Sequence, residues 1–464
     1  MTDLSPAVAP LAGDVTRRRF LATSSAVLAS AYVAESAAAA STAQDIEKEL
    51  KADKTPIALI GAGGMGTGNL RSASDYVDVV AVCDVDANRR DRANQSLAGG
   101  KATVHEDYRE ILDNDAIEVV HIATPDHWHT KPLVEALRAG KDVYCEKPLT
   151  LTIAEGQLIR EVQQETGRVV QVGTQQRSQF DLFVKAVAIA GEGRLGKIRR
   201  VQAAIGGGPA CEPIPAVDPP SELNWDRWLG PAPKVDYRFR AGGNHGNTNC
   251  HYEFRWWYEY SGGKLTDWGA HHIDIAKWAL EANGQMADPT SIGGSATHPV
   301  PFENGQPTEN DRYNTATEFL ITAKFPDDVE LVIRHDTENG VLIEGDKGRI
   351  FVNRGKLVGA PVEELASNPL PDDAIQRVYK GHPLIAGERK GHWANFLHCV
   401  RTREEPVSDV HSHMRALNIG HLAGISARLG RDLEWDEASQ QIVGDDEALA
   451  MQSRPYREGY EIAG

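Results

Sequence analysis

The chain has 464 residues, 41% hydrophobic and 25% charged, with a net charge of −17 and a pI near 5.4. That length suits two or three domains with ample core, and the acidity disfavours nucleic acid or an anionic membrane surface as a partner. Five scattered cysteines without a Cys-x-x-Cys spacing make no disulfide framework and read as small buried apolar residues.

Residues 1–40 differ in texture from the rest. Arg17-Arg18-Arg19-Phe20-Leu21 precedes a mildly apolar run and then ESAAAASTAQ. A charged start, an apolar middle and small residues for cleavage are the three parts of a signal peptide. The paired arginines before Phe-Leu resemble the twin-arginine signal, which a receptor reads. We expect export to the periplasm, with cleavage near Ala40 or around Ala34. Residues 41–54, polar and charged, are expected to be a linker. No later segment has 18 consecutive apolar residues, so no further membrane span is expected.

Over 55–178 short apolar runs (PIALIGAG, VDVVAVCDV, IEVVHIATP, DVYCEKP, RVVQVGTQQ) alternate with helix-like stretches. Runs without in/out alternation suit strands buried on both faces, which predicts βαβ units around a parallel sheet, a Rossmann domain. Directly after the first run, Gly61-Ala62-Gly63-Gly64-Met65-Gly66 fits G-x-G-x-x-G. Such glycines allow a tight turn and a close approach of backbone to pyrophosphate at a helix N-terminus. The second run ends at Asp84, 18 residues past Gly66. A carboxylate there accepts the adenosine ribose hydroxyls and repels a 2′-phosphate, which favours NAD. Arg89 and Arg90 leave NADP as the second choice. A later strand ends at Glu146-Lys147-Pro148, placing Lys147 where open α/β sheets bind ligands. Pro148 offers a site for a cis peptide.

Beyond residue 178 the texture changes. Residues 206–233 carry seven prolines and predict a long surface loop. ATEFLITAKF, VELVIRHD, GVLIEGDKG and RIFVNRG are short runs with tight turns, the pattern of antiparallel strands. Two helices are expected within 391–429. The expected fold is therefore an α/β Rossmann domain (55–178), then an α+β domain (179–464) with one large open, mainly antiparallel sheet.

Two segments, IATPDHWHTKPLVEALRAGKDVYCEKPL (122–149) and GGKLTDWGAHHIDIAKWAL (262–280), together resemble the Gfo/Idh/MocA oxidoreductase family over roughly residues 55–430. The glycine loop, Thr-Pro-x-x-x-His, Glu-Lys-Pro and Asp-x-Gly-x-His-x-x-Asp occur in the family's order. The resemblance implies that Lys147 hydrogen-bonds the reacting hydroxyl, that Asp267 is the carboxylate of an Asp-x-x-x-His pair, and that His271 is the general base. It places Thr124 and Pro125 beside the nicotinamide and His129 on the cofactor side, with Glu146 and Lys147 also touching cofactor. The chemistry agrees. Histidine suits proton abstraction near neutral pH, a carboxylate can orient an imidazole, and a cationic lysine stabilises alkoxide charge.

His272 and Trp257 are the further candidates for substrate contact, the latter because aromatic faces stack on sugars. Arg255 and His251 are candidates for the same pocket, and Asp274 for a sugar hydroxyl or a structural bond. No paired metal-ligand spacing occurs, so no metal is expected. An exported NAD enzyme meets no free nucleotide pool. This predicts a tightly held, recycled cofactor and a hydroxyl of a sugar or glycoside as substrate. Recycling can run through a second sugar or an external acceptor. It can also run through transient oxidation, elimination and re-reduction, which is redox-neutral glycoside hydrolysis or lysis. A non-catalytic sugar-binding protein is the remaining alternative. A dimer or tetramer is expected, as family members often form.

Overall fold

The computed structural model describes residues 42–243, 245–285 and 288–462. The predicted export signal lies outside these residues. Among the described residues no helix is long and apolar enough to cross a membrane.

The expected linker is instead an ordered helix, α1 (residues 42–52). Ala43, Ile46 and Leu50 recur at helical spacing and pack into the nucleotide-domain core, with Leu50 fully buried. Glu47 accepts a hydrogen bond from the Tyr76 hydroxyl at 3.0 Å, and Glu49 pairs with Arg401 at 2.9 Å. The charges that suggested a linker are the solvent face of an amphipathic helix.

The first domain is built from β1 (Thr55–Ile60), α2 (Gly64–Ser72), β2 (Val77–Cys83), α3 (Ala87–Ala98), β3 (Thr103–His105) and α4 (Arg109–Leu112). It continues with β4 (Val119–Ile122), α5 (Asp126–Arg138), β5 (Asp142–Cys145), α6 (Ile153–Thr166) and β6 (Val170–Val172). The strands form one parallel sheet in the order β3-β2-β1-β4-β5-β6. The order reverses at β1, so the crevice above its carboxyl end is where such sheets bind a dinucleotide. β4 and β5 are buried along their whole length, with His121 and Asp142 the buried polar residues in their otherwise apolar runs.

The second domain holds a nine-stranded sheet. Its middle runs Gly340–Gly345, Ile198–Ala204, Val329–Arg334, Glu318–Phe325 and Ser291–Thr297. Ile198–Ala204 pairs parallel with Val329–Arg334, and the other pairs are antiparallel. In Glu318–Phe325 the alternation is clean. Phe319, Ile321, Ala323 and Phe325 are buried, while Leu320 on the other face is 47% exposed. Helices Lys185–Gly191, Gly269–Ala282 and Val410–Leu429 cover the buried face and share its core. Helix Glu388–Thr402 packs on the first sheet instead, where Trp393 stacks on Tyr144 with centroids 4.0 Å apart. The predicted 206–233 loop contains only the short helix Trp225–Leu229, but Ile214, Leu223, Trp228 and Leu229 give it a core of its own.

Candidate active site

The carboxyl ends of the first sheet open into a cavity of about 670 Å³. Of the predicted cofactor residues, Gly61, Gly63, Gly64, Met65, Asp84, Thr124, Pro125, Glu146 and Lys147 line it. Gly61 has φ +93°, and a Cβ there would stand 2.6 Å from the Ala123 carbonyl carbon. Only glycine fits where the loop crosses the end of β4. Gly66 lies one turn into α2 against the Gly61 carbonyl. It packs the helix rather than lining the cavity.

Asp84 accepts hydrogen bonds from the backbone N–H of Ala62 (2.7 Å) and of Asp86 (2.9 Å). Burial pushes its carboxyl upward against these bonds and the nearby Arg89 guanidinium. Its position beside the glycine loop suits the ribose hydroxyls. Two further lining residues carry buried oxygens with no partner among the described residues, Thr124 Oγ1 and Glu146 Oε2. The other Glu146 oxygen accepts from Asn69 at 2.5 Å and Gln175 at 3.2 Å, and burial pushes this carboxyl up to about 7. A glycine cradle, a ribose-side carboxylate and unpaired polar atoms beyond it fit a bound NAD.

Lys147 stands at the end of β5, before a cis bond to Pro148. Its Nζ donates to Asp267 Oδ1 at 2.6 Å and to the Asp267 carbonyl at 3.2 Å. Arg255 Nε lies 3.4 Å from the same Oδ1. Burial alone would raise Asp267, but Lys147 and Arg255 outweigh it and hold the carboxyl well below its usual range. The expected Asp267–His271 pair is therefore not what forms. Asp267 closes the short helix Lys264–Asp267, His271 belongs to the next helix, and the carboxylate is spent on two cations. His271 is 5% exposed, and its Nδ1 is buried without a partner among the described residues. Burial, with Lys147 and Arg354 nearby, pushes this imidazole well below its ordinary value, so it is neutral and able to accept a proton.

Three predicted contacts are corrected. His272, one residue on and so turned away, holds Asn339 Oδ1 at 2.9 Å and packs against Trp268 and Phe183. Trp257 is 2% exposed, donates its indole N–H to the Thr248 carbonyl at 3.1 Å and is core. His129 does not line the cavity. Its ring nitrogens face the carbonyls of Pro148 (2.7 Å) and Thr124 (2.8 Å), tying together the loops that carry Lys147 and Thr124. Burial pushes this ring down to about 4, against both carbonyls, which favour a proton. Asp274 is structural, gripping Arg177 through Nε (2.7 Å) and Nη2 (2.6 Å).

Arg255 and His251 line the cavity as expected. Sequence reading missed Asp126, which lines the cavity, accepts from the Ser261 hydroxyl at 2.6 Å and is pushed up to about 7 by burial. Its signal was its place directly after Thr-Pro. Arg389 also reaches the cavity, from the helix Glu388–Thr402, and no local pattern marks it. Among the described residues no group of three or more His, Cys, Asp or Glu is arranged to hold a metal.

Residues 55–174 match the family model "Oxidoreductase family, NAD-binding Rossmann fold", and residues 211–462 match "Oxidoreductase family, C-terminal alpha/beta domain". The chain belongs to the Gfo/Idh/MocA oxidoreductase family. The glycine loop, Lys147, Asp267 and His271 all fall inside the matched segments. An inositol 2-dehydrogenase of Salmonella typhimurium is 35% identical over 144 residues, 30% of this chain. The match spans only 42% of that relative's length. Inositol 2-dehydrogenase 2 of Saccharopolyspora erythraea is 29% identical over 341 residues, covering 70% of this chain and 76% of the relative. The solved aldose-aldose oxidoreductase of Caulobacter crescentus shares the fold with a TM-score of 0.57 at 17% identity, over 82% of this chain and 100% of that one.

Proposed function

We propose that the protein is an NAD-dependent oxidoreductase that oxidises a hydroxyl of a sugar, polyol or glycoside. The observation that carries this reading is Lys147. Its ammonium lines the nucleotide cavity, pinned by Asp267 between the cofactor crevice and the helix that bears His271. When bound, NAD supplies the hydride acceptor. Lys147 donates a hydrogen bond to the reacting oxygen and stabilises its developing negative charge. Neutral His271 takes the hydroxyl proton. Asp267 fixes the direction of the Lys147 ammonium through the 2.6 Å hydrogen bond. The inositol dehydrogenase relatives support a polyol-like substrate. A panel of inositols, aldoses and aryl glycosides, with NADH absorbance as readout, tests the reading. Turnover of none of them by nucleotide-loaded protein, under conditions where an inositol dehydrogenase works, rejects it.

Arg17-Arg18-Arg19 supports export in the folded state, with NAD loaded beforehand and recycled in place. Quantifying nucleotide released on denaturing the dialysed, exported protein tests this. Close to one NAD(H) per chain is expected, and an empty protein rejects retention. A redox-neutral glycosidase is the second reading. Asp126 favours it, because a cavity carboxyl pushed up to about 7 can protonate a leaving group. Release of a phenol from aryl glycosides without net NADH marks that chemistry. The open sheet face bearing Leu320 supports a homo-oligomer, which light scattering in solution tests.

A further inference from the structure

One wall of the nucleotide cavity comes from the far end of the chain. Gly459 and Tyr460 line it, although the segment around them has no regular secondary structure. Two anchors hold this segment. On one side Arg457 grips Asp226 at 2.6 Å and donates through Nε to the Gly230 carbonyl at 2.8 Å, while its backbone N–H donates to the Pro231 carbonyl at 3.1 Å. On the other, Lys131 donates to the Glu461 carbonyl at 2.7 Å, and Ile462 is buried in the nucleotide-domain core. Between the anchors the Tyr460 ring lies under the Arg457 guanidinium at 4.4 Å and meets Trp128 edge-on at 5.7 Å.

Trp128 is the fixed point of this wall. Its indole N–H donates to the Trp228 carbonyl at 2.9 Å, and Tyr108 meets its ring at 6.0 Å. Gly230, at φ +48°, is the residue on which the indole rests, and any side chain there would collide with it. Tyr108 follows β3, the neighbour of the strand that ends at Asp84, whereas Lys147 follows β5 on the other side of the glycine loop. The three rings therefore stand at the ribose and adenine end of the cavity, where a flat aromatic base meets aromatic edges and faces favourably.

We infer that residues 457–462 are a strap that walls the adenosine end of the site and slows the release of NAD, with Tyr460 as its contact. The inference rests on the NAD reading above. The strap lies outside regular structure and is held by side-chain and single backbone bonds rather than by a helix or sheet ladder, so it can open locally at lower cost than the core. Its closed form must leave before the nucleotide does.

The test uses the full-length protein loaded with NADH and mixed with an enzyme that consumes free NADH, so that the fluorescence decay reads the dissociation rate. Tyr460→Ala and Arg457→Ala are expected to release NADH about tenfold faster, the equivalent of about 1.4 kcal/mol, with melting temperatures near that of the unaltered protein. Tyr460→Phe keeps the ring and is expected to release slowly. Tyr460 is not part of the core, so its variants remain informative if Arg457→Ala destabilises the fold. Unaltered dissociation from Tyr460→Ala overturns the strap and leaves the NAD reading standing. Failure of the unaltered protein to bind NADH overturns the NAD reading and the strap with it.

Discussion

In the proposed reaction Lys147 and His271 divide the chemistry, and each has a distinct signature. Lys147→Ala removes the charge that stabilises the alkoxide and leaves Asp267 to Arg255 alone. We expect kcat/KM to fall by about 10²–10⁴-fold while the dissociation constant for NADH, read by fluorescence titration, stays nearly unchanged. Equal loss of nucleotide binding would make Lys147 a structural residue. For His271 the prediction concerns pH. Its folded-state value is depressed below 6.5 by burial, Lys147 and Arg354, so the neutral, proton-accepting form persists as pH falls through 6.5. The acid limb of kcat/KM in the free enzyme is expected below 6.5, and a limb at or above it would remove His271 from the role of base. Lys147, Asp84 and the glycine loop were legible because each directly follows a strand, and strand ends in this sheet converge on one crevice. His272, Trp257 and His129 were misassigned because residue type gives no direction. Whether a ring faces a cavity or a core is settled by what packs against it.

At the scale of elements, the helix Gly269–Ala282 must hold His271 still while lying under the large sheet. Its lock is the buried pair Arg177–Asp274, with Arg177 also donating to the Val407 carbonyl at 2.9 Å. Removing one partner leaves a buried charge uncompensated, so Asp274→Ala is expected to cost about 3–5 kcal/mol in urea denaturation. A cost under about 1 kcal/mol would mean that the pair is hydrated and does not set the helix. Element types were largely legible. Strand runs, the two late helices and the Pro-rich loop follow from period and breakers. The helix α1 was not read, because its three apolar residues sit among charges and only the groove they fill makes them a stripe.

At the scale of the molecule, the chain's halves interlock. Helix Glu388–Thr402 crosses back to stack Trp393 on Tyr144, so the nucleotide domain in space is not residues 55–178 alone. Many histidines are sealed inside this joint core. Burial lowers His121 to about 4, His127 to about 3 and His392 to about 4. The depressed histidines outnumber the raised carboxyls Asp126 and Glu146, which act in the opposite sense, so between about pH 6.5 and 4 the unfolded chain binds more protons than the folded one and stability declines with falling pH. The melting temperature is expected to drop steadily from pH 7 to pH 5, and a flat profile would mean that these rings are solvated in solution.

The sequence by itself determined the fold class, the nucleotide crevice and the preference for NAD, because all of these depend on residues close together along the chain. Tertiary structure alone decided that Asp267 serves Lys147 rather than His271. It also brought Arg389 to the cavity and made Gly459 and Tyr460 part of its wall. Those outcomes depend on contacts between segments more than a hundred residues apart. Distance and burial select a partner there, and no local spacing records them.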